Sequence, residues 1–242
     1  MADIMGGIME IDWWHDMTHG DDRGLVLPPK IAPIQVVIIP IYYSKEEKEK
    51  VMERALKARD ELAGENVRVH LDDREQLTPG FKFNDWEMKG IPVRIEIGPK
   101  DIAKNQIVLA RRHNQTKNNL EMYEDEGMSV ILKHGSDGIV TNKFPNYVKE
   151  ELENIQKEMF DAAKKILDER VVRVSEYQQF KKELENGKMI DCSWCGNQTC
   201  EDKIKEETGA DLRVIPFNNT KAETCIYCKN SGTTNALFAH GY

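Results

Sequence analysis

An α/β fold built in two unequal parts is what this sequence predicts, and three observations carry that expectation. Short β-branched runs alternate with amphipathic stretches between about residues 34 and 118, in the order β-α-β-α-β-β. Apolar residues spaced by three and four run from Pro145 to about Asp168, as in one long helix. All five cysteines lie beyond residue 190. Together they describe a domain with a mixed sheet and flanking helices, a helical linker, and a small metal-binding α/β module.

Taken in order, Ile34 to Ile41 reads as a buried strand, rich in β-branched residues and closed by Pro40 and Tyr42-Tyr43. Ser44 followed by Glu47 is a capping box, each side chain satisfying an orphan N–H at a helix start. The helix it opens, Lys45 to Leu62, puts Val51, Ala55, Leu56, Ala58 and Leu62 on an inward stripe, and Gly64 ends it. Val67, Val69 and Leu71 alternate with polar residues as a second strand. Thr78-Pro79-Gly80 is a turn or helix entry, and Phe81 to Lys89 a short helix. Pro92 to Ile97 is a third strand, stopped at Gly98-Pro99, and Gln106 to Arg112 a fourth. Met128 to Phe144 fits no single pattern, with Gly135 and Gly138 implying loops. The long helix places Val148, Leu152, Ile155, Met159 and Ala163 on one face, and leads into a terminal module of roughly residues 171–242.

At 242 residues the chain can bury one large or two small cores. No run of about 18 apolar residues exists, so no membrane association is expected. Met1 to Asp16 lacks the basic start and apolar stretch of a signal peptide, which points to the cytoplasm. His15 and His19, four apart, have no third ligand beside them. Neither a Ser-His-Asp order nor a glycine-rich phosphate loop is readable, so no catalytic residue is expected. Trp13-Trp14 suggests an apolar patch, and Phe81 and Phe83 read as packing residues, with base stacking the alternative.

The cysteines read Cys192-x2-Cys195-x4-Cys200, then 24 residues, then Cys225-x2-Cys228. Two short-spaced pairs brought together by a fold make a tetrahedral thiolate cage, the usual setting of a structural zinc. Cys195, Cys200, Cys225 and Cys228 are the favoured ligands, because Gly196 allows the tight backbone approach of a knuckle. The competing CxxC–CxxC reading takes Cys192 and drops Cys200. Four thiolates leave no open position, so the metal's expected task is folding.

The net charge of −8 argues mildly against nucleic acid, but surface fields are screened within about 8 Å at physiological salt, so local charge matters more. From Asp72 to Lys117 the bases Arg74, Lys82, Lys89, Arg94, Lys100, Lys104, Arg111, Arg112 and Lys117 outnumber the acids Asp72, Asp73, Glu75, Asp85, Glu87, Glu96 and Asp101. Such a local inversion suits either a solvated surface with scattered ion pairs or a surface that approaches phosphates without binding all RNA, with carboxylates among the cations able to accept from base edges.

Several strings resemble one family in order along the chain. Gly20-Asp21-Asp22-Arg23-Gly24-Leu25 through Pro33 resembles the end of motif 3 in class II prolyl-tRNA synthetases of the archaeal and eukaryotic type. Ile34-Gln35-Val36-Val37 is similar to the first strand of that family's anticodon-binding domain. Pro79 to Phe83, Trp86 to Gly90 and Arg94 to Lys100 continue the likeness, as does the cysteine spacing, and the chain ends on Tyr242 as these enzymes do. The resemblance runs from about Met17 to Tyr242.

That resemblance implies three parts: an N-terminal segment with the end of motif 3 (1–33), an anticodon-binding domain (34–142), and a helical linker with a zinc-binding domain (143–242). It implies that Glu87, Arg94 and Lys100 read the guanines of a proline anticodon. Lys117 matches a further anticodon-contacting lysine, across a one-residue difference in loop length. It places Cys195, Cys200, Cys225 and Cys228 at the zinc-ligand positions and turns the Tyr242 carboxylate toward the family's catalytic domain. Motifs 1 and 2 and the arginine stretch that holds ATP have no counterpart here, so aminoacylation by this chain alone is not expected. ATP and Mg²⁺ belong to the full-length parent enzyme, and the implied partners are tRNA with a proline anticodon, the missing catalytic domain and a second copy in a homodimer. The alternative reading is a free-standing RNA-binding or regulatory factor built from the same domains.

Overall fold

The structure, a computed structural model, describes residues 20–125, 128–135, 138–217 and 223–241. The readings made on Met1 to His19 and on Tyr242 lie outside the described residues. The chain forms two compact units that part between Phe160 and Asp161.

The first unit is built on a seven-stranded mixed sheet. A two-residue hairpin, β1 (Gly20–Asp21) and β2 (Gly24–Leu25), precedes it. The sheet strands are β3 (Val36–Pro40), β4 (Val69–Leu71), β5 (Val93–Ile97), β6 (Gln106–Arg111), β7 (Lys117–Asp125), β8 (Met128–Gly135) and β9 (Gly138–Lys143), in the order β4-β3-β5-β6-β7-β8-β9. β3 pairs in parallel with β4 and β5, and every later pairing is antiparallel. The helices are α1 (Lys45–Gly64), α2 (Pro79–Met88), the short α3 (Pro99–Ala103) and α4 (Phe144–Arg170), whose first half belongs to this unit.

β3 explains the architecture. All five of its residues are buried, because it is covered on both faces. Val36 and Ile38 face one core, shared with Val51, Ala55, Ala58 and Leu62 of α1 and with Phe144, Val148, Leu152 and Ile155 of α4. Val37 and Ile39 face a second, smaller core with Trp86 and Ile91. α1 opens as expected, with Glu47 N–H donating to Ser44 Oγ at 3.2 Å and Ser44 N–H to Glu47 Oε2 at 3.2 Å. Leu56 is only half-buried, and on α4 Ala163 is exposed. Gly64 remains helical; the left-handed residue that turns the chain away is Asn66, with φ of 63°. α2 begins two residues earlier than expected, capped by Thr78 with Pro79 at its first position, where a missing N–H does no harm.

Two differences from the sequence reading are substantial. Gly98-Pro99 stops β5 after Ile97 as expected, but it also opens α3, which the sequence reading does not foresee, with Gly98 N–H donating to Asp101 Oδ2 at 2.9 Å. Lys117–Asp125, Met128–Gly135 and Gly138–Lys143, most of whose residues fit no single pattern in the sequence, are three antiparallel strands. In β7 only Leu120 and Met122 are buried, so its alternation is too short to stand out from its polar outer face.

The second unit, from Asp161 onward, is a four-stranded sheet of β10 (Val171–Arg173), β11 (Met189–Trp194), β12 (Ala210–Val214) and β13 (Thr234–His240), in the order β10-β11-β13-β12. Phe180 and Leu184 from α5 (Tyr177–Glu185) and Ile204 from α6 (Gln198–Thr208) pack on Ile190, Cys192, Ala236 and Phe238. Among the described residues no helix is long and apolar enough to cross a membrane.

Candidate functional site

In the first unit, one rung of the sheet assembles a polar pocket. The registers align Val37 of β3 with Arg94 of β5, Arg94 with Ala110 of β6, and Ala110 with Lys117 of β7. Side chains of one rung project from one face, and the small Ala110 leaves room above it for both cations. All four residues line a pocket of about 120 Å³ that α2 closes with Trp86 and Glu87; Arg23, Ile91, Arg111, Arg112 and Gln115 complete it. Three of the four expected RNA-contacting residues therefore meet here. Lys100 does not line the pocket: it sits at the start of α3, exposed.

Each wall is held by identifiable chemistry. Glu96, two residues along β5 from Arg94 and on the same face, is buried; its Oε1 accepts from Arg94 Nε at 3.0 Å and from Lys117 Nζ at 2.9 Å. The Arg94 guanidinium lies 4.5 Å and the Lys117 ammonium 5.5 Å from the centre of the Phe83 ring, so Phe83 is both packing residue and cation–π platform. Phe81, expected to pack, instead projects into solvent, because it falls on the outer face of α2.

α2 is fixed from beneath by Asp72, a fully buried carboxylate. It accepts from Arg74 Nε at 2.9 Å, Arg74 Nη2 at 2.7 Å and Trp86 Nε1 at 2.7 Å. Burial pushes this carboxyl upward, but the hydrogen bonds from Arg74 and Trp86 overcome it and hold Asp72 far below the usual carboxylate range. At the other end of α2, buried Arg112 donates to the Glu87 carbonyl at 2.9 Å, to the Gly24 carbonyl at 3.0 Å, and to both Asp21 oxygens at 2.7 and 2.6 Å. That fork, opposed by burial, lowers Asp21 to about 2. It staples the β1–β2 hairpin onto the pocket and brings Arg23 Nη1 to 3.1 Å from Glu87 Oε1. Gly24 permits the approach: its φ is +121°, and a Cβ there would stand 2.5 Å from the Met88 carbonyl oxygen.

Sequence reasoning does not single out Arg23, Glu96 or Arg112 as site residues. The Arg94-x-Glu96 alternation is the available signal for Glu96; nothing local marks Arg23 or Arg112, whose roles depend on contacts 64 and 91 residues away. Of the seven carboxylates between Asp72 and Lys117, only Glu87 lines the pocket.

The second unit gathers four of its five cysteines. Cys195 follows β11; Gly196, with φ of 76°, turns the chain, and Asn197 caps α6 so that Cys200 sits in its first turn. Cys225 and Cys228 lie on a facing turn, closed by Cys225 N–H to Asn230 O at 2.8 Å and tied to β11 by Ile226 N–H to Ser193 O at 2.8 Å. The sulfurs of Cys195, Cys200, Cys225 and Cys228 all lie within 4.8 Å of one another and could hold a metal ion. A tetrahedron with metal–sulfur bonds of about 2.3 Å has edges of about 3.8 Å, and Cys195 Sγ and Cys228 Sγ are 3.8 Å apart. Burial pushes the Cys200 thiol up to about 12, whereas the Asn230 backbone N–H draws Cys228 down to about 7. Cys192 stands outside this cluster, fully buried in the core on β11, its thiol pushed up to about 12 by burial.

Comparison with known proteins follows the same division. Residues 35–134 match a family described as "Anticodon binding domain", and residues 177–242 match "Prolyl-tRNA synthetase, C-terminal". Over 226 residues the chain is 46% identical to a proline–tRNA ligase of Cenarchaeum symbiosum, covering 93% of the chain and 43% of that relative. A chloroplastic/mitochondrial proline–tRNA ligase of Arabidopsis thaliana is 41% identical over 240 residues, 99% of this chain and 40% of that protein. The crystal structure of a prolyl-tRNA synthetase from Cryptosporidium parvum, complexed with L-proline and AMP, superposes with a TM-score of 0.75 at 31% identity, covering 93% of this chain and 45% of that one. The chain thus spans less than half the length of these relatives.

Proposed function

The chain belongs to the prolyl-tRNA synthetase family, whose C-terminal region it matches, and from that premise we propose that its first unit reads the anticodon of tRNA for proline. The convergence of Glu87, Arg94 and Lys117 on one pocket carries this reading. A carboxylate there accepts from the N1–H and N2–H₂ edge of an unstacked guanine, while the cations donate to O6 and N7 or to a flanking phosphate. Lys100, outside the pocket but exposed at the end of β5, is suited to a neighbouring nucleotide. In this reading, recognition serves the ATP- and Mg²⁺-dependent joining of proline to tRNA in the cytoplasm, a reaction assigned to the full-length parent enzyme. No feature favours the free-standing factor over this ligase reading.

We further propose that Cys195, Cys200, Cys225 and Cys228 hold one structural zinc. The spacing of the four sulfurs supports it, and four thiolates close the coordination sphere, so the ion staples β11, α6 and the 225–228 turn rather than meeting substrate.

Binding of proline tRNA and of a tRNA with an unrelated anticodon tests the anticodon reading. Glu87→Ala and Arg94→Ala each weaken the cognate complex by roughly 1–3 kcal/mol and leave the other unchanged. Equal affinity for both tRNAs in the unaltered chain would sink it.

A further inference from the structure

We propose, resting on the anticodon reading above, that Glu96 is a positioning residue that clamps Arg94 and Lys117 and thereby converts two mobile cations into a base-reading fork. The observation is that one buried carboxylate oxygen accepts from both, at 3.0 and 2.9 Å, from beneath the pocket they line.

The geometry divides the labour within each cation. Arg94 gives Glu96 only its Nε–H, and its two terminal nitrogens have no protein partner among the described residues. Those are the nitrogens that can donate in parallel to O6 and N7 of a guanine. Lys117 gives one of its three N–H bonds and keeps two. Phe83 lies under both, so each long side chain is fixed by one ionic contact and one ring face. Holding such side chains before RNA arrives removes rotamer entropy that binding would otherwise have to overcome.

Charge leads to the same conclusion. With Glu96 between them, Arg94 and Lys117 offer the pocket a net charge of one rather than two. The clamp therefore lowers attraction to any phosphate and raises dependence on correct hydrogen-bond geometry. Glu96 itself does not read a base, since it is buried and its Oε1 is occupied twice.

The test compares two anticodon stem-loop RNAs on the full chain, one with the proline anticodon and one with a single guanine replaced by adenine. Glu96→Gln should reduce the ratio of the two affinities on the order of tenfold. Binding of the altered RNA should hold steady or rise, and the salt dependence should steepen by up to about 0.7 in log–log slope, because one more counterion is displaced from a single strand. In the Arg94→Ala/Lys117→Ala background, Glu96→Gln should change the ratio no further. A parallel loss of both affinities together with thermal stability would assign Glu96 a structural role only and overturn the proposal, as would an unchanged ratio. If Glu96→Gln does not fold, Glu96→Asp, whose retracted carboxylate cannot span both cations, makes the same comparison: a reduced ratio supports the clamp and an unchanged one overturns it. If Arg94→Ala leaves the ratio intact, the anticodon reading itself fails; if Arg94→Ala collapses it while Glu96→Gln does not, only the clamp fails.

Discussion

Replacing Asp72 by asparagine should destabilise the first unit by about 3–4 kcal/mol. Its Oδ1 accepts from Arg74 N–H at 3.2 Å and Arg74 Nε at 2.9 Å, and its Oδ2 from Arg74 Nη2 and Trp86 Nε1, each at 2.7 Å. Asparagine keeps one oxygen; in either amide orientation its NH₂ confronts a pair of donors. Two bonds to a charged acceptor are lost, at about 1.5–3 kcal/mol each. Arg74 keeps Asp85 at 2.8 Å, which sets the total toward the lower half of that sum. Buried Lys82, 3.7 Å from Oδ1, loses its counter-charge, although its bond to the Asp72 carbonyl at 3.0 Å survives. A shift in urea midpoint at unchanged slope, and a fall in melting temperature of roughly 10 °C, are the expected readings. Asp72→Asn/Lys82→Met should recover part of the loss, since it removes the stranded ammonium. A destabilisation below about 1 kcal/mol would show that the network does not hold α2 as described.

Three further outcomes follow from the same structure. Metal analysis should find about one zinc per chain, abolished by Cys225→Ser and retained in Cys192→Ser; loss of metal in Cys192→Ser would overturn the ligand set. Asp21 and Asp72 both have folded-state pKa values below the unfolded value of about 3.9, so their stabilisation is complete above about pH 5 and drains away as pH falls toward and below 2. The urea midpoint should thus drop in acid, and more gently in Asp72→Asn; identical acid limbs would contradict the assignment. Gly24→Ala should cost roughly 1–3 kcal/mol, through its left-handed φ and the clash with the Met88 carbonyl. It should free the β1–β2 hairpin to exchange amide hydrogens, and unchanged protection there would count against the docking.

What the sequence disclosed, and what it hid, follow from the range of the forces involved. β3, the Ser44–Glu47 box and α1 were legible because strand propensity and capping are decided within a few residues. The four clustered cysteines were legible because Gly196 marks the knuckle turn that sets Cys195 against Cys200. β7 to β9 were not, since the polar outer face of β7 and the glycines of β8 and β9 look like loops until partner strands satisfy the backbone. Glu87, Arg94 and Lys117 came from likeness to a family rather than from spacing. Their convergence needs the register that sets Arg94 and Lys117 on either side of Ala110, which no local pattern encodes.

The proposed reading of RNA by a chain with a net charge of −8 is physically consistent, because at this pocket acids and bases are sorted by depth and pairing rather than by number. Arg111 and Arg112 line the pocket, yet they are already matched, Arg111 to Glu151 and Glu158 and Arg112 to Asp21. They supply walls and register, not free charge. Arg94 and Lys117 share Glu96, and Glu87 faces Arg23, so every charge at the pocket begins with a partner in the protein. A phosphate can take the donors that Arg94 and Lys117 keep free, but it meets a pair whose charge Glu96 has already halved, and it offers no donor to Glu87. A base edge presenting donors to Glu87 and acceptors to Arg94 can add hydrogen bonds without dismantling the pairs beneath it. On the proposed reading, selectivity rests on position rather than on charge density, so the chain's net negative charge is compatible with it.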